Sequence, residues 1–309
     1  MRHMERRWSV AAVLAALSVV LAACGGLSKS PGSGSGGSGK LEVRLGVVDF
    51  TEQVILGQIY GRALARAGYK VTYQKLASRE LADPALFAGQ LDMLIEYAGS
   101  DLTYLKGTPT PDGRQILTDL KAKLQPKNVT VLEQAPASDQ QAITMTQASS
   151  DRYEAKTLSD LAKVAGQLVF GAPPECFQNR GTCYKGMQET YRINFKATRS
   201  IPNASVRHQA LLGNQIQANL SFSTDGVIAR QKLVVLQDDK KLFPPDHVVP
   251  IARNDFLSKA GGDLQSTVDK VSAAITTDGL TALNAKVDLD QEDPDRVATE
   301  WLREKNLLA

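Results

Sequence analysis

Two short apolar runs in this chain end on an aromatic residue followed by small polar ones. Leu91-Asp92-Met93-Leu94-Ile95-Glu96 leads to Tyr97 and the turn Ala98-Gly99-Ser100; Leu220-Ser221 leads to Phe222 and Ser223-Thr224-Asp225-Gly226. In an open α/β sheet, ligands are held just beyond the carboxyl ends of strands, which is where Tyr97 and Phe222 would stand. The chemistry these residues offer is recognition of a small molecule.

Bond-making chemistry finds no set of residues to carry it. The chain has no H-E-x-x-H, no G-x-S-x-G and no G-x-x-x-x-G-K-[ST], and it shows no cofactor motif. His208 reads as a partly exposed helix residue, and Asp238-Asp239, which precede Lys240-Lys241, read as a solvated turn. Cys176 and Cys183 form a close pair that oxidises outside the cytoplasm. A metal site is the alternative, although the spacing is not C-x-x-C and no histidine lies nearby. The expectation is a protein that is not an enzyme.

The elements that must position Tyr97 and Phe222 repeat. Asp83 can cap a short helix with Pro84 at its first position and Gly89 at its end, just before the Tyr97 strand. Asn203 can cap the helix before the Phe222 strand. Laid together without a gap, Gln90 matches Gln215, Leu91 matches Ile216 and Tyr97 matches Phe222. This pattern implies two similar lobes that each present a ring to a shared cleft. Upstream, Leu41 to Val48 reads as a buried strand, and Thr51 can cap a helix whose apolar face includes Ile55, Leu56, Ile59 and Tyr60. Val71-Thr72-Tyr73 then completes a βαβ unit. Phe50-Thr51-Glu52-Gln53 lies at its strand-to-helix corner, another place that faces a cleft. The crossings between lobes are placed near Pro136 and near Phe243-Pro244-Pro245, which gives residues 40–138 plus 246–309 as lobe I and 139–245 as lobe II.

The first 23 residues read as a signal peptide: arginines, an apolar run too short for a comfortable membrane span, then small residues. Residues 24–39 follow as Cys24 and a Gly/Ser linker. The chain has 309 residues, enough for two lobes. Its hydrophobic content of 43% and charged content of 22% are ordinary for a globular protein. The net charge is +3, and without the leader the balance is 33 basic against 32 acidic residues. Such a body carries no footprint for nucleic acid.

Taken in order, several runs resemble the substrate-binding lipoproteins of osmoprotectant ABC importers, which bind glycine betaine, choline, carnitine, proline betaine or related solutes. They are Phe50-Thr51-Glu52-Gln53-Val54-Ile55-Leu56-Gly57, Leu91 to Gly99, Phe170-Gly171-Ala172-Pro173-Pro174-Glu175 with Arg180, Phe222 to Gly226, Leu236 to Lys240, Phe243-Pro244-Pro245, and Leu283 to Asp288. Leu21-Ala22-Ala23-Cys24 likewise resembles the bacterial lipoprotein cleavage box, which would make Cys24 the lipid-modified first residue, tethered outside the cytoplasmic membrane. The resemblance implies a two-lobed α/β, type II periplasmic-binding-protein fold, a monomer, and permease subunits as partners.

It also implies an aromatic cage that holds a quaternary ammonium by cation–π attraction. In that cage Tyr97 is one ring, Phe222 stands at a second ring position, Ser100 tunes ligand choice, and Arg180 can meet a carboxylate. The chain departs from the pattern at three places. A further cage tyrosine would fall at Gln141, with Asp139 just before it; another would fall at Asp246; and Val48 replaces a polar or basic residue. These departures imply weak betaine binding, or the same fold retuned to another small cation or zwitterion with N–H donors, such as an amino acid or a polyamine-like solute.

Overall fold

The computed structural model describes residues 41–178 and 181–308. The leader, Cys24, the linker and Arg180 lie outside the described residues. The described strands are β1 (Glu42–Val48), β2 (Lys70–Leu76), β3 (Met93–Tyr97), β4 (Val129–Val131), β5 (Gln141–Met145), β6 (Val169–Ala172), β7 (Ala197–Ser200), β8 (Ala218–Phe222), β9 (Val234–Val235) and β10 (Val248–Arg253). They build two five-stranded sheets, ordered β2-β1-β3-β10-β4 and β7-β6-β8-β5-β9. In the first sheet β1 is parallel to β2 and β3, and β10 is antiparallel to β3 and β4. In the second, β6 is parallel to β7 and β8, and β5 is antiparallel to β8 and β9.

The expected repeat is a property of the fold. β3 and β8 hold the same central place in their sheets, and each follows a helix, Arg79–Phe87 or Ala204–Leu212. The matched Leu91 and Ile216 are both fully buried. Each packs where the neighbouring parallel strand carries a glycine. A Cβ on Gly46 would come 2.6 Å from Leu91, and one on Gly171 would come 2.4 Å from Ile216. The two sheets therefore accommodate the same apolar knob with the same missing side chain.

The helix Thr51–Arg66 buries Ile55, Leu56, Ile59, Tyr60, Ala63 and Leu64 against the first sheet, as its periodicity predicts. Two local expectations need correction. Phe50 precedes that helix, and the Thr51 hydroxyl donates to Asp288 at 2.6 Å instead of capping. The next helix opens after Ser78, so Asp83 and Pro84 sit inside it, and Asp83 is buried. Asp-Pro is a strong start signal, but here the helix is already running when it arrives. Pro84 lies in the second turn, at the cost of one backbone bond. Asn203 caps its helix as expected, and Thr157 with Asp160 forms a capping box on the helix Leu158–Val164.

Two passages join the sheets, and they run side by side. Ser138 and His247 form an antiparallel bridge; Asp139 N donates to Asp246 O at 2.9 Å, and Val248 N to Ala137 O at 3.1 Å. A third contact comes from the helix Thr277–Asp288, where Ala285 meets Gly226 so closely that a Cβ on the glycine would come within 2.6 Å.

Cys176 and Cys183 are joined by a disulfide. It ties the helix Pro174–Gln178 to the start of Tyr184–Tyr191, beside a cluster in which Phe170 and Phe195 stack at 4.7 Å. Replacing both cysteines by serine should lower unfolding free energy by about 2–3 kcal/mol, from the entropy of so short a ring. Urea denaturation measures this, and an unchanged midpoint would show that the aromatic cluster holds the segment unaided.

Candidate functional site

β3 delivers Tyr97 to the seam between the sheets. Its hydroxyl donates to Glu52 Oε1 at 2.6 Å, and Phe50 lies over its ring with centroids 6.3 Å apart. Phe50 itself is 46% exposed, so one of the two rings remains accessible. Glu52, in the first turn of its helix, is almost fully buried. Its other oxygen accepts from Asn284 Nδ2 at 2.5 Å, and the same amide donates to Thr224 O at 3.1 Å. Thr224 Oγ1 in turn donates to Asp139 Oδ1 at 2.7 Å. One hydrogen-bonded line thus runs from the end of β3 through the helix Thr277–Asp288 to the turn after β8 and the first passage. The partners that it gives Glu52 and Asp139 are all neutral. Burial pushes both carboxyls above their usual range, reinforced at Asp139 by repulsion from Glu52 and at Glu52 by repulsion from Asp288. Burial and Glu52 do the same to the Tyr97 hydroxyl.

Ser100 and Asp246 meet directly. Asp246 Oδ1 accepts from the Gly99 and Ser100 amides at 2.7 and 3.0 Å, and Oδ2 accepts from Ser100 Oγ at 2.5 Å. Beside them is a void of about 20 Å³, lined by Ser100, Thr103, Gln141, Thr182, Pro244 and Asp246. It has room for one water. A trimethylammonium solute would have to part the sheets to enter. Gln141 pairs with Phe222 across β5 and β8, and its side-chain oxygen is buried without a hydrogen-bond partner. Behind the turn, Arg79 is committed to Glu96 at 2.9 and 2.7 Å. Asp83 and Asp101 lie nearby, and burial first, Glu96 second, pushes both carboxyls up.

Of the residues singled out from sequence, the structure brings Tyr97 and Asp139 into one network, gathers Ser100, Gln141 and Asp246 around the void, and sets Phe222 beside Gln141. Sequence reasoning gave no role to Glu52, Thr224 or Asn284. Glu52 was marked only as part of a cleft-facing corner and of a family-like run, and Asn284 only as part of the run Leu283 to Asp288. Asp238 is not a solvated turn residue, because it accepts from the Tyr191 hydroxyl and from the Leu242 and Phe243 amides.

His208 is also not the exposed residue expected. It is buried, with Nε2 3.2 Å from Ser221 Oγ and 3.5 Å from Asp225 Oδ2. Both partners approach the same ring nitrogen, whereas a nucleophile relay needs the acid on the other one. Burial lowers His208 to about 4 and raises Asp225 to about 7. Asp225 keeps a proton in the fold that the unfolded chain releases near pH 4. Its contribution is therefore complete below pH ~4 and is lost as pH rises through 7. His208 acts in the opposite sense, and its stability loss comes as pH falls from ~6.5 through 4. Asp225→Asn should remove the first effect alone, so the variant gains stability relative to wild type between pH 5 and 7.5 in urea denaturation. Parallel pH profiles for the two proteins would refute this.

Residues 42–304 match the family model described as the substrate binding domain of ABC-type glycine betaine transport system. A carnitine transport binding protein of Listeria monocytogenes is 29% identical over 278 residues, covering 88% of this chain and 90% of that one. A glycine-betaine-binding protein of Pseudomonas aeruginosa is also 29% identical, covering 86% and 88%. Among solved structures, one titled as a glycine betaine/carnitine/choline ABC transporter superposes with a TM-score of 0.73 at 26% identity, covering 87% of this chain and all of that one. The fold is the type II periplasmic-binding architecture expected, and relatives of this kind are transport proteins and not enzymes. The chain belongs to the family of substrate-binding domains of ABC-type glycine betaine transport systems, and it serves outside the cytoplasm as the solute-binding component of an ABC importer.

Proposed function

We propose that this protein captures a small quaternary ammonium solute of the glycine betaine, choline or carnitine type between its two lobes and hands it to the permease. Lobe I comprises residues 40–138 plus 246–309, and lobe II residues 139–245. Cys24 carries the lipid that tethers the body to the membrane, and the protein works as a monomer. The observation that carries this reading is the seam itself: Tyr97 and Phe50 offer stacked rings beside Glu52 and Asp139, two buried carboxylates whose hydrogen-bond partners are neutral. A cation entering there would gain cation–π attraction of about 0.5–2 kcal/mol per ring. It would also supply the positive charge that the two acids lack. Tyr97, Ser100, Asp139, Gln141, Phe222 and Asp246, with Arg180 from outside the described residues, are the residues assigned to ligand binding. Hinge closure about the paired passages would complete the site.

A second reading is the same fold serving a cation or zwitterion with N–H donors, such as an amino acid or polyamine. The buried, unpartnered acceptor of Gln141 favours it.

A thermal-shift panel on residues 40–309 separates the two. A solute at 100 times its dissociation constant should stabilise the protein by about 2.7 kcal/mol. Betaine, choline, carnitine or proline betaine should produce the shift, and Tyr97→Ala should abolish it. A response confined to amino acids or polyamines would transfer the assignment to the second reading, and a flat panel would overturn both.

A further inference from the structure

The Ser100 side of the void has a one-sided hydrogen-bonding character. The groups at the start of the helix Ala98–Tyr104 that could receive an anion are the Gly99 and Ser100 amides and the Ser100 hydroxyl. All three already donate to Asp246, at 2.7, 3.0 and 2.5 Å. The Thr103 hydroxyl is also spent, on Gly99 O at 2.8 Å. On the Ser100 side of the void what remains is acceptor character, the Asp246 carboxylate; the opposite side carries the unpartnered Gln141 Oε1 together with the Gln141 amide N–H₂ and Thr182. Arg79 acts on Asp246 from a distance, but its guanidinium is held by Glu96.

Asp246 is also firmly placed. Its backbone N–H donates to Ser138 Oγ at 3.0 Å and its carbonyl accepts from Asp139 N at 2.9 Å, so it is fixed in the paired passages about which the lobes would close. The carboxylate stays opposite Ser100 because its backbone is held on both sides.

We propose that Asp246 is a specificity-determining residue: by occupying the Ser100 turn it makes this end of the cleft accept a hydrogen-bond donor and turn away a carboxylate. This inference rests on the proposed binding of a small ammonium solute. Between solutes that share a trimethylammonium head, the one ending in a hydroxyl can donate to Asp246 or Gln141. The one ending in a carboxylate brings a second negative charge beside the half-buried Asp246 carboxylate, where the donors of the Ser100 turn are already spent. Discrimination of this kind comes from the repulsive element as much as from the new hydrogen bond.

The test is isothermal titration of the full-length chain with choline, glycine betaine and tetramethylammonium, which share the head and differ only in the tail. Wild type should bind choline at least tenfold more tightly than glycine betaine. Asp246→Asn keeps an acceptor for the Gly99 and Ser100 amides and replaces the charge with an N–H₂ donor. It should cut the choline-to-betaine ratio at least fivefold and leave tetramethylammonium affinity within a factor of about two, which also shows that the variant is folded. A residue that merely supports the turn would weaken all three solutes together, and that result would overturn the inference. So would a wild type that binds betaine as tightly as choline, while leaving the solute class intact. Failure of all three solutes to bind wild type would overturn the solute class and this inference with it. The wild-type ratio decides the matter without any variant, should Asp246→Asn fail to fold.

Discussion

Carboxylates are costly to bury, and this molecule buries Glu52 and Asp139 where its two sheets meet. An ionised acid taken out of water needs a counter-charge or a full set of donors. Tyr97, Asn284 and Thr224 supply donors but no charge. Much of the surrounding architecture follows from that shortfall. The Tyr97 hydroxyl is aimed at Glu52, and its ring lies under the accessible ring of Phe50. The helix Thr277–Asp288 is drawn in until Asn284 can reach both sheets' ends. A small cation is the species that such a seam lacks.

The same logic explains why two acids so near each other are tolerated. Each is pushed toward its protonated form, and a shared hydroxyl lies between them at Thr224. A protein whose task was only to be stable would do better with apolar residues here. Retaining the acids makes sense when a partner arrives to neutralise them.

Much of this was legible in the chain, and the exceptions are instructive. The strand-end aromatics were visible because a short apolar run, an aromatic and a small-residue turn are contiguous, and the match of Leu91 to Ile216 survives as an identical packing device against Gly46 and Gly171. Asp83 was misread because an Asp-Pro pair looks the same whether a helix is starting or already under way. Glu52 was passed over because an acid in a first helical turn ordinarily complements the dipole in water. Nothing local distinguishes an acid that the fold will cover. Asn284 lies more than two hundred residues from the acid it serves, so its role exists only once the chain is folded. Asp246 could be placed at the cleft from sequence, but its grip on the Ser100 turn depends on the pairing of two distant passages.

That pairing also sets an order of assembly. β10 lies between β3 and β4, so the first sheet stays split until residues near 250 are available. The second sheet is drawn wholly from the stretch between the passages and can close from within itself. Contacts of such large sequence separation form late, because loop closure must be met before they contribute. The inserted half is thus free to mature while the flanking half still exposes the edges of β3 and β4. For a protein that works outside the cytoplasm, the first sheet can close only after β10 has emerged, and the strand that ends that delay directly follows the passage carrying Asp246.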